Sequence, residues 1–229
     1  MISNSTGLSR SETRLAIRAK RVCVNGTAAT SASLILGCTD RVTLDGKSVE
    51  PPRPRYFMLH KPAGYVSATV DNAHPAALEL LRDEPGYLRL QIAGRLDMDT
   101  TGLLLLTDDG DWNHRLTSPS RQCEKVYRVQ LRDPISPQAI AQVQSGMLLR
   151  GEKRPTRPAA IAITDHQSQR EVLLTIREGK YHQVKRMFAA TGNLVTGLHR
   201  ERISGIALDP ALEPGAYRAL TDAEVQSIA

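Results

Sequence analysis

The chain reads as an α+β protein in two parts, a small basic module followed by a larger domain built on a mixed, mostly antiparallel sheet. Three observations predict this. Strand signals outnumber helix signals and are mostly short. They do not alternate regularly with helices, which argues against a doubly wound parallel sheet. Prolines at 51, 52 and 54 mark a stiff linker that no helix can cross, so the expected division is 1–50, linker 51–54 and domain 55–229.

The elements follow in order. Ser9-Arg10-Ser11-Glu12 is a capping box, and the helix it opens carries Arg14, Arg18 and Arg21 at helical spacing on one face, with Leu15, Ile17 and Val22 as its expected buried side. Asn25-Gly26 and Asp45-Gly46 are hairpin turns, each flanked by short strands. Residues 56–60 read as a strand ended by Lys61-Pro62-Ala63-Gly64. Residues 75–82 look helical, 87–93 and 103–107 look like strands, and 111–116 look like a short helix. Residues 125–131 alternate, with Tyr127, Val129 and Leu131 opposite Val126, Arg128 and Gln130, so this strand has one exposed face. Helices are expected over 137–144, 181–190 and 222–228, and strands over 159–163, 171–176 and within 195–208.

Composition sets outer limits. Apolar residues make up 41% and charged residues 24% of 229, ordinary for a globular protein. Residues 1–62 hold ten Lys/Arg against four Asp/Glu, so the whole net charge of +6 sits in the first quarter. That is the footprint of a polyanion-binding module, or else a basic solvated helix face. The cysteines Cys23, Cys38 and Cys123 are far apart and without zinc spacing, so reduced thiols in a cytoplasmic protein and no structural metal are expected. No apolar run approaches the roughly 20 residues of a membrane span.

The most informative stretch is Gly94-Arg95-Leu96-Asp97-Met98-Asp99-Thr100-Thr101-Gly102, directly before the apolar run of residues 103–106. Charges beside a buried strand need partners, because desolvating them is costly. Gly94-Arg95-Leu96-Asp97 followed by Thr101-Gly102-Leu103-Leu104, with Thr107-Asp108-Asp109-Gly110 at the end of the strand, resembles the signature of RsuA-type pseudouridine synthases. The likeness extends through Tyr56-Phe57-Met58-Leu59 and Leu198-His199-Arg200-Glu201-Arg202-Ile203, from Arg55 to the last helix. It implies the pseudouridine synthase fold, preceded by an α-L domain of the ribosomal protein S4 type. The family's opening helix has no counterpart in Met1-Ile2-Ser3-Asn4-Ser5.

The resemblance implies isomerisation of a uridine in ribosomal RNA by base flipping, glycosidic cleavage and re-attachment through C5, with no cofactor or metal. Asp97 is the implied catalytic residue; from composition alone it is equally a turn aspartate. Tyr127 matches the family's active-site tyrosine, or is a strand tyrosine on the core. Lys185 matches the basic residue that pairs with the catalytic aspartate, while its segment is also a basic helix suited to RNA phosphates. Arg95 matches the arginine that fills the gap left by a flipped base; its alternative is an ion pair with Asp99. Arg14, Arg18, Arg21, Lys180, Arg186, Arg200 and Arg202 are further expected RNA contacts, and Arg150, Lys153 and Arg154 extend the track. His182 and His199 are expected to face RNA or solvent, and Trp112 to anchor the core.

The expected partner is ribosomal RNA or a small-subunit assembly intermediate, bound by a monomer. Relatives with the same motifs act on large-subunit RNA. A non-catalytic RNA-binding assembly factor is the rival from another class. The acidic run Asp97, Asp99, Asp108, Asp109, Asp111 raises a third reading, a metal-dependent nuclease.

Overall fold

A computed structural model describes residues 1–37, 39–50 and 53–228. Pro51 and Pro52, on which the linker reading rests, and the thiol of Cys38 lie outside the described residues. The chain divides into two units, Met1–Pro54 and Arg55–Ala229.

In the first unit, a single helical turn α1 (Ile2–Ser5) precedes α2 (Arg10–Arg18). Helix α1 is one turn long and lies in the segment where no counterpart of the family's opening helix is expected. Nothing in Met1–Ser5 signals a helix, and the turn is held instead by burial of Ile2 and by the Thr6 hydroxyl donating to the Ile2 carbonyl at 2.8 Å. The capping box of α2 is formed in both directions, Glu12 N–H to Ser9 Oγ at 3.2 Å and Ser9 N–H to Glu12 Oε2 at 2.7 Å. Strands β1 (Val22–Val24), β2 (Thr27–Ala28), β3 (Val42–Leu44) and β4 (Lys47–Ser48) form a sheet in the order β2-β1-β3-β4. Asn25 and Gly26, and Asp45 and Gly46, all have positive φ, as a two-residue hairpin turn of this hand requires. Ala16, Ile17, Val22, Ala29, Val42 and Val49 supply the core. Leu15, expected inside, is 60% exposed, because Ala16 and Ile17 take the inner face of α2. Arg21 lies beyond the end of α2 and pairs with Asp45 at 2.6 Å.

In the second unit, β5 (Tyr56–Lys61), β6 (Gln91–Ala93), β7 (Thr101–Thr107), β8 (Lys125–Leu131), β9 (Ala160–Ile163), β10 (Glu171–Ile176), β11 (Val195–Ile203), β12 (Ile206–Ala207) and β13 (Tyr217–Ala219) make one sheet. The path is β13-β5-β7-β11-β8-β10-β9, with β6 on β7 and β12 on β11. Among these strands the β7–β11 pairing alone is parallel and the others are antiparallel. Helices α3 (Gly110–Thr117), α4 (Pro137–Ser145), α5 (Gln183–Ala190) and α6 (Asp222–Gln226) complete the unit. The helix expected over 75–82 is a 3₁₀ helix at Ala77–Leu81, and the strand expected over 87–93 is a 3₁₀ turn at Tyr87–Arg89 leading into β6. Strand β13 was not legible in advance; it is three residues long and borders β5.

The central strand explains its own sequence. Leu103, Leu104, Leu105 and Leu106 are fully buried because both faces of β7 are covered, which removes the alternation of a one-sided strand. Leu104 and Leu106 pack with Phe57, Leu59 and Leu78, whereas Leu103 and Leu105 pack with Met58, Trp112 and Ile203. Burying each leucine contributes about 1.5–3 kcal/mol. Asp109 caps α3 by accepting from the Asp111 and Trp112 amides, both at 3.0 Å, and Trp112 in turn donates its indole N–H to the Val225 carbonyl at 3.1 Å.

One edge of β7 is shared. Thr107 to Leu105 pair with β6, and Thr101 and Gly102 pair with β11. At Gly102, φ is +103°, and a Cβ would stand 2.3 Å from the Arg200 carbonyl oxygen and 2.7 Å from its nitrogen. Gly102→Ala is therefore expected to lower the unfolding free energy by about 2–4 kcal/mol, since backbone on both sides must move. Gly110→Ala, at a helix start with open space around it, should stay within about 1 kcal/mol of the parent. Urea unfolding of both variants checks the contrast.

Candidate active site

Between the end of β6 and the start of β7 runs the loop of residues 94–100, and most of its backbone carbonyls are held from behind. The Arg200 guanidinium, on β11, donates Nε–H to the Leu103 carbonyl at 2.8 Å, Nη2–H to Gly94 at 2.9 Å and Nη1–H to Arg95 at 3.3 Å. Ser67 both donates to the Leu96 carbonyl at 2.7 Å and accepts from the Leu96 amide at 2.9 Å. The Gly64 amide donates to the Met98 carbonyl at 2.9 Å. Lys61, fully buried at the end of β5, donates to the carbonyls of Met98 at 3.2 Å and Thr100 at 2.8 Å. Burial pushes the Lys61 ammonium down to about 8, while nearby Asp99 and Asp97 act the other way. Finally the Thr100 amide donates to the Asp97 carbonyl at 3.1 Å, closing the turn.

The loop presents Asp97 into a cleft of about 840 Å³ that is also lined by Arg95, Tyr127, Tyr181, His182 and Arg200. The Asp97 side chain is not fully enclosed; 29% of it is exposed, toward the cleft. Lys185, on α5, lies 3.6 Å from Asp97 Oδ2 and hydrogen-bonds Asp99 Oδ1 at 2.5 Å, so one ammonium serves both carboxylates of the loop. The hydrogen bond to Lys185 holds the Asp99 carboxyl below the usual range. His182 Nε2 lies 3.5 Å from Asp97 Oδ1. Tyr127 is buried on β8, with its hydroxyl 3.4 Å from Arg200 Nη1 and the guanidinium 6.0 Å from the ring centroid.

The expected residues separate into groups. Asp97, Tyr127 and Arg95 share the cleft, and Lys185 touches Asp97. The Arg95 side chain is exposed and has no partner among the described residues; Asp99 is taken by Lys185 instead. Arg200 is corrected from an RNA contact to a buried clamp, 1% exposed, with its donors turned inward to the carbonyls of Gly94, Arg95 and Leu103. Lys180 and Arg186 are held by Glu152, at 2.8 and 3.1 Å, which leaves neither as a free phosphate ligand. Arg14, Arg18 and Arg202 are exposed. His199, expected to face RNA or solvent, is half-buried: it shares a 2.8 Å bond with the Thr101 hydroxyl and meets the His60 ring edge-on, and burial lowers its pKa.

The acidic run is split by β7. Asp108 pairs with Arg55 at 3.0 Å and Asp109 caps α3, at the far end of a strand that puts them about 20 Å from Asp97 and Asp99. Among the described residues no three His, Cys, Asp or Glu side chains are grouped to hold a metal ion, and no helix is long and apolar enough to cross a membrane. Lys61 and Ser67 leave no signal in the sequence: Lys61-Pro62 reads as a strand end, and a serine that clamps another backbone has no characteristic spacing. His182, expected to face RNA or solvent, lines the cleft; its place beside Asp97 follows from a left-handed φ of 46° at the entry to α5, which the sequence does not announce.

Because Arg200 joins β7, β8 and the loop, Arg200→Lys should lower stability by about 2–4 kcal/mol, as a lysine cannot satisfy carbonyls lying in several directions. The midpoint of urea unfolding measures this, and an unchanged midpoint would contradict the clamp.

Comparison with known proteins assigns this arrangement. Residues 55–190 match the family model described as RNA pseudouridylate synthase. The chain is 49% identical over 227 residues to the ribosomal small subunit pseudouridine synthase A of Vibrio parahaemolyticus, covering 99% of this chain and 97% of that protein. Against the protein of the same name from Escherichia coli K12 it is 48% identical over 228 residues, again covering 99% and 97%. A crystal structure titled as a pseudouridylate synthase superimposes with a TM-score of 0.73 at 45% identity, covering 100% of this chain and 97% of that one. The loop bearing Asp97 and the sheet that clamps it are thus those of an enzyme, and the chain belongs to the RNA pseudouridylate synthase family.

Proposed function

We propose that this chain converts a uridine of small-subunit (16S) ribosomal RNA to pseudouridine, with Asp97 as the catalytic carboxylate. The observation that carries the reading is the position of Asp97: it stands on a backbone clamped at Gly94, Arg95, Leu96, Met98 and Thr100, beside Lys185 and His182, and opens into a cleft of about 840 Å³, roomy enough for an everted nucleotide. The small-subunit substrate follows from likeness along almost the whole chain to proteins named for it.

The reaction breaks the N1–C1′ bond, turns the freed uracil and joins C1′ to C5. The C5 proton leaves and N1 gains one, so the atoms balance with no electron donor or acceptor. The residues divide the work. Asp97 meets the flipped nucleoside, and the side chains of Lys185 and His182 fix where its oxygens point. Tyr127, tethered through Arg200, forms an aromatic wall against which the base packs. Arg95, exposed and unpartnered at the mouth, takes the space the uridine vacates in its own strand. Apolar walls from Leu96, Ile176 and Val184 keep water from the detached uracil.

The first unit acts as an S4-type RNA grip, with Arg14 and Arg18 on the outer face of α2 meeting phosphates; Arg21, paired to Asp45, contributes less. The protein works as a monomer in the cytoplasm, on ribosomal RNA or a small-subunit assembly intermediate.

Two outcomes are expected. Asp97→Asn should abolish pseudouridine formation, read as carbodiimide-reactive product in rRNA, while RNA affinity stays within about tenfold, or 1.4 kcal/mol; turnover by this variant would end the assignment. Replacing Arg14 and Arg18 together by Gln should reduce the slope of log affinity against log salt by about one to two, because fewer counterions are released. An unchanged slope would remove α2 from the RNA contact.

A further inference from the structure

We propose that Tyr181, stacked on His182 at the rim of the cleft, is a platform for a nucleobase flanking the target uridine. This inference rests on the function proposed above and deepens it. Tyr181 is 75% exposed, a large aromatic surface left in water beside the cleft. Its inner face is already occupied: the Tyr181 and His182 rings lie 3.8 Å apart between centroids with 18° between their planes. The outer face is the open one.

The pair is built rather than incidental. His182 takes a left-handed φ of 46°, unusual for a side chain with a Cβ, and this turn at the entry to α5 brings the two successive rings face to face. Arg186 donates Nη1–H to the Tyr181 carbonyl at 2.9 Å and Nη2–H to the Arg150 carbonyl at 2.6 Å, while also pairing with Glu152. The Lys180 amide donates to Gln183 Oε1 at 2.9 Å. The backbone carrying the two rings is therefore anchored from both sides before any ligand arrives, so stacking there loses little conformational freedom. The inner ring of the pair belongs to the residue whose Nε2 reaches Asp97 at 3.5 Å. A base resting on Tyr181 is thereby registered, through one stack, against the catalytic carboxylate. Stacking on a phenol is tolerant of base identity, which suits a strand opened around an everted uridine.

The test uses the full chain and a transcript of small-subunit rRNA. Tyr181→Ala should raise KM roughly tenfold, the usual weight of one base–aromatic stack, with kcat falling by less than KM rises. Tyr181→Phe should restore KM to within about twofold, because the ring is retained. Tyr181→Trp adds an exposed fluorophore to a protein whose single native tryptophan, Trp112, is buried, and its emission should be quenched on RNA binding. A KM for Tyr181→Ala within about twofold of the parent, or tryptophan emission unmoved at saturating RNA, overturns the platform. Absence of pseudouridine from the parent protein would instead overturn the proposed function; the quenching experiment, which needs binding alone, would still decide the platform.

Discussion

The guanidinium of Arg200 is the interaction on which the rest of the catalytic unit depends. Along the shared edge of β7, β6 pairs with residues 105–107 and β11 with residues 101–102, and between them the Leu103 carbonyl faces inward. Arg200 fills that interval with a side chain where a strand would otherwise run. It binds Leu103, then the two carbonyls at which the loop departs, then the phenol of Tyr127. A buried cation without a carboxylate partner is tolerable here because several oriented carbonyl dipoles replace its water. The Arg200 backbone also passes so close to β7 that position 102 has no room for a side chain.

Around that clamp the loop is held with unusual redundancy. A serine, a glycine amide and a buried lysine each bind it at a different point. Rigidity of this kind is what a carboxylate needs if it is to meet a flipped nucleoside without first reorganising. The second layer of control is electrostatic: Lys185 bridges Asp97 and Asp99, so neither acid is left without a counter-charge.

Much of this was legible in the sequence, and the reasons differ by element. Hairpins at Asn25-Gly26 and Asp45-Gly46 follow from local turn chemistry, and the alternation of Tyr127, Val129 and Leu131 followed from one-sided burial. The run at 103–106 announced a strand covered on both faces. The motif around Asp97 pointed to the loop, but not to what supports it. Arg200 sits in a segment rich in charge, and charge alone cannot say whether a guanidinium looks outward to phosphate or inward to carbonyls. Lys180 and Arg186 misled for the same reason, since their partner Glu152 is roughly thirty residues away. Lys61 and Ser67 act through backbone atoms of another segment, contacts that leave no periodicity. Leu15 shows the converse: helical spacing defined a stripe, yet the smaller Ala16 took the inner position.

The parallel strand contact, His199 and Arg200 against Thr101 and Gly102, joins parts of the chain about a hundred residues apart. Such distant closures slow folding, because the intervening polypeptide must be gathered before the contact is rewarded. They also impose an order on synthesis. A nascent chain can complete β5, β6 and β7 while its carboxylate loop still lacks the Arg200 clamp, which emerges only with β11, about a hundred residues later. Competence for chemistry thus waits on a segment made well after the motif that carries the acid.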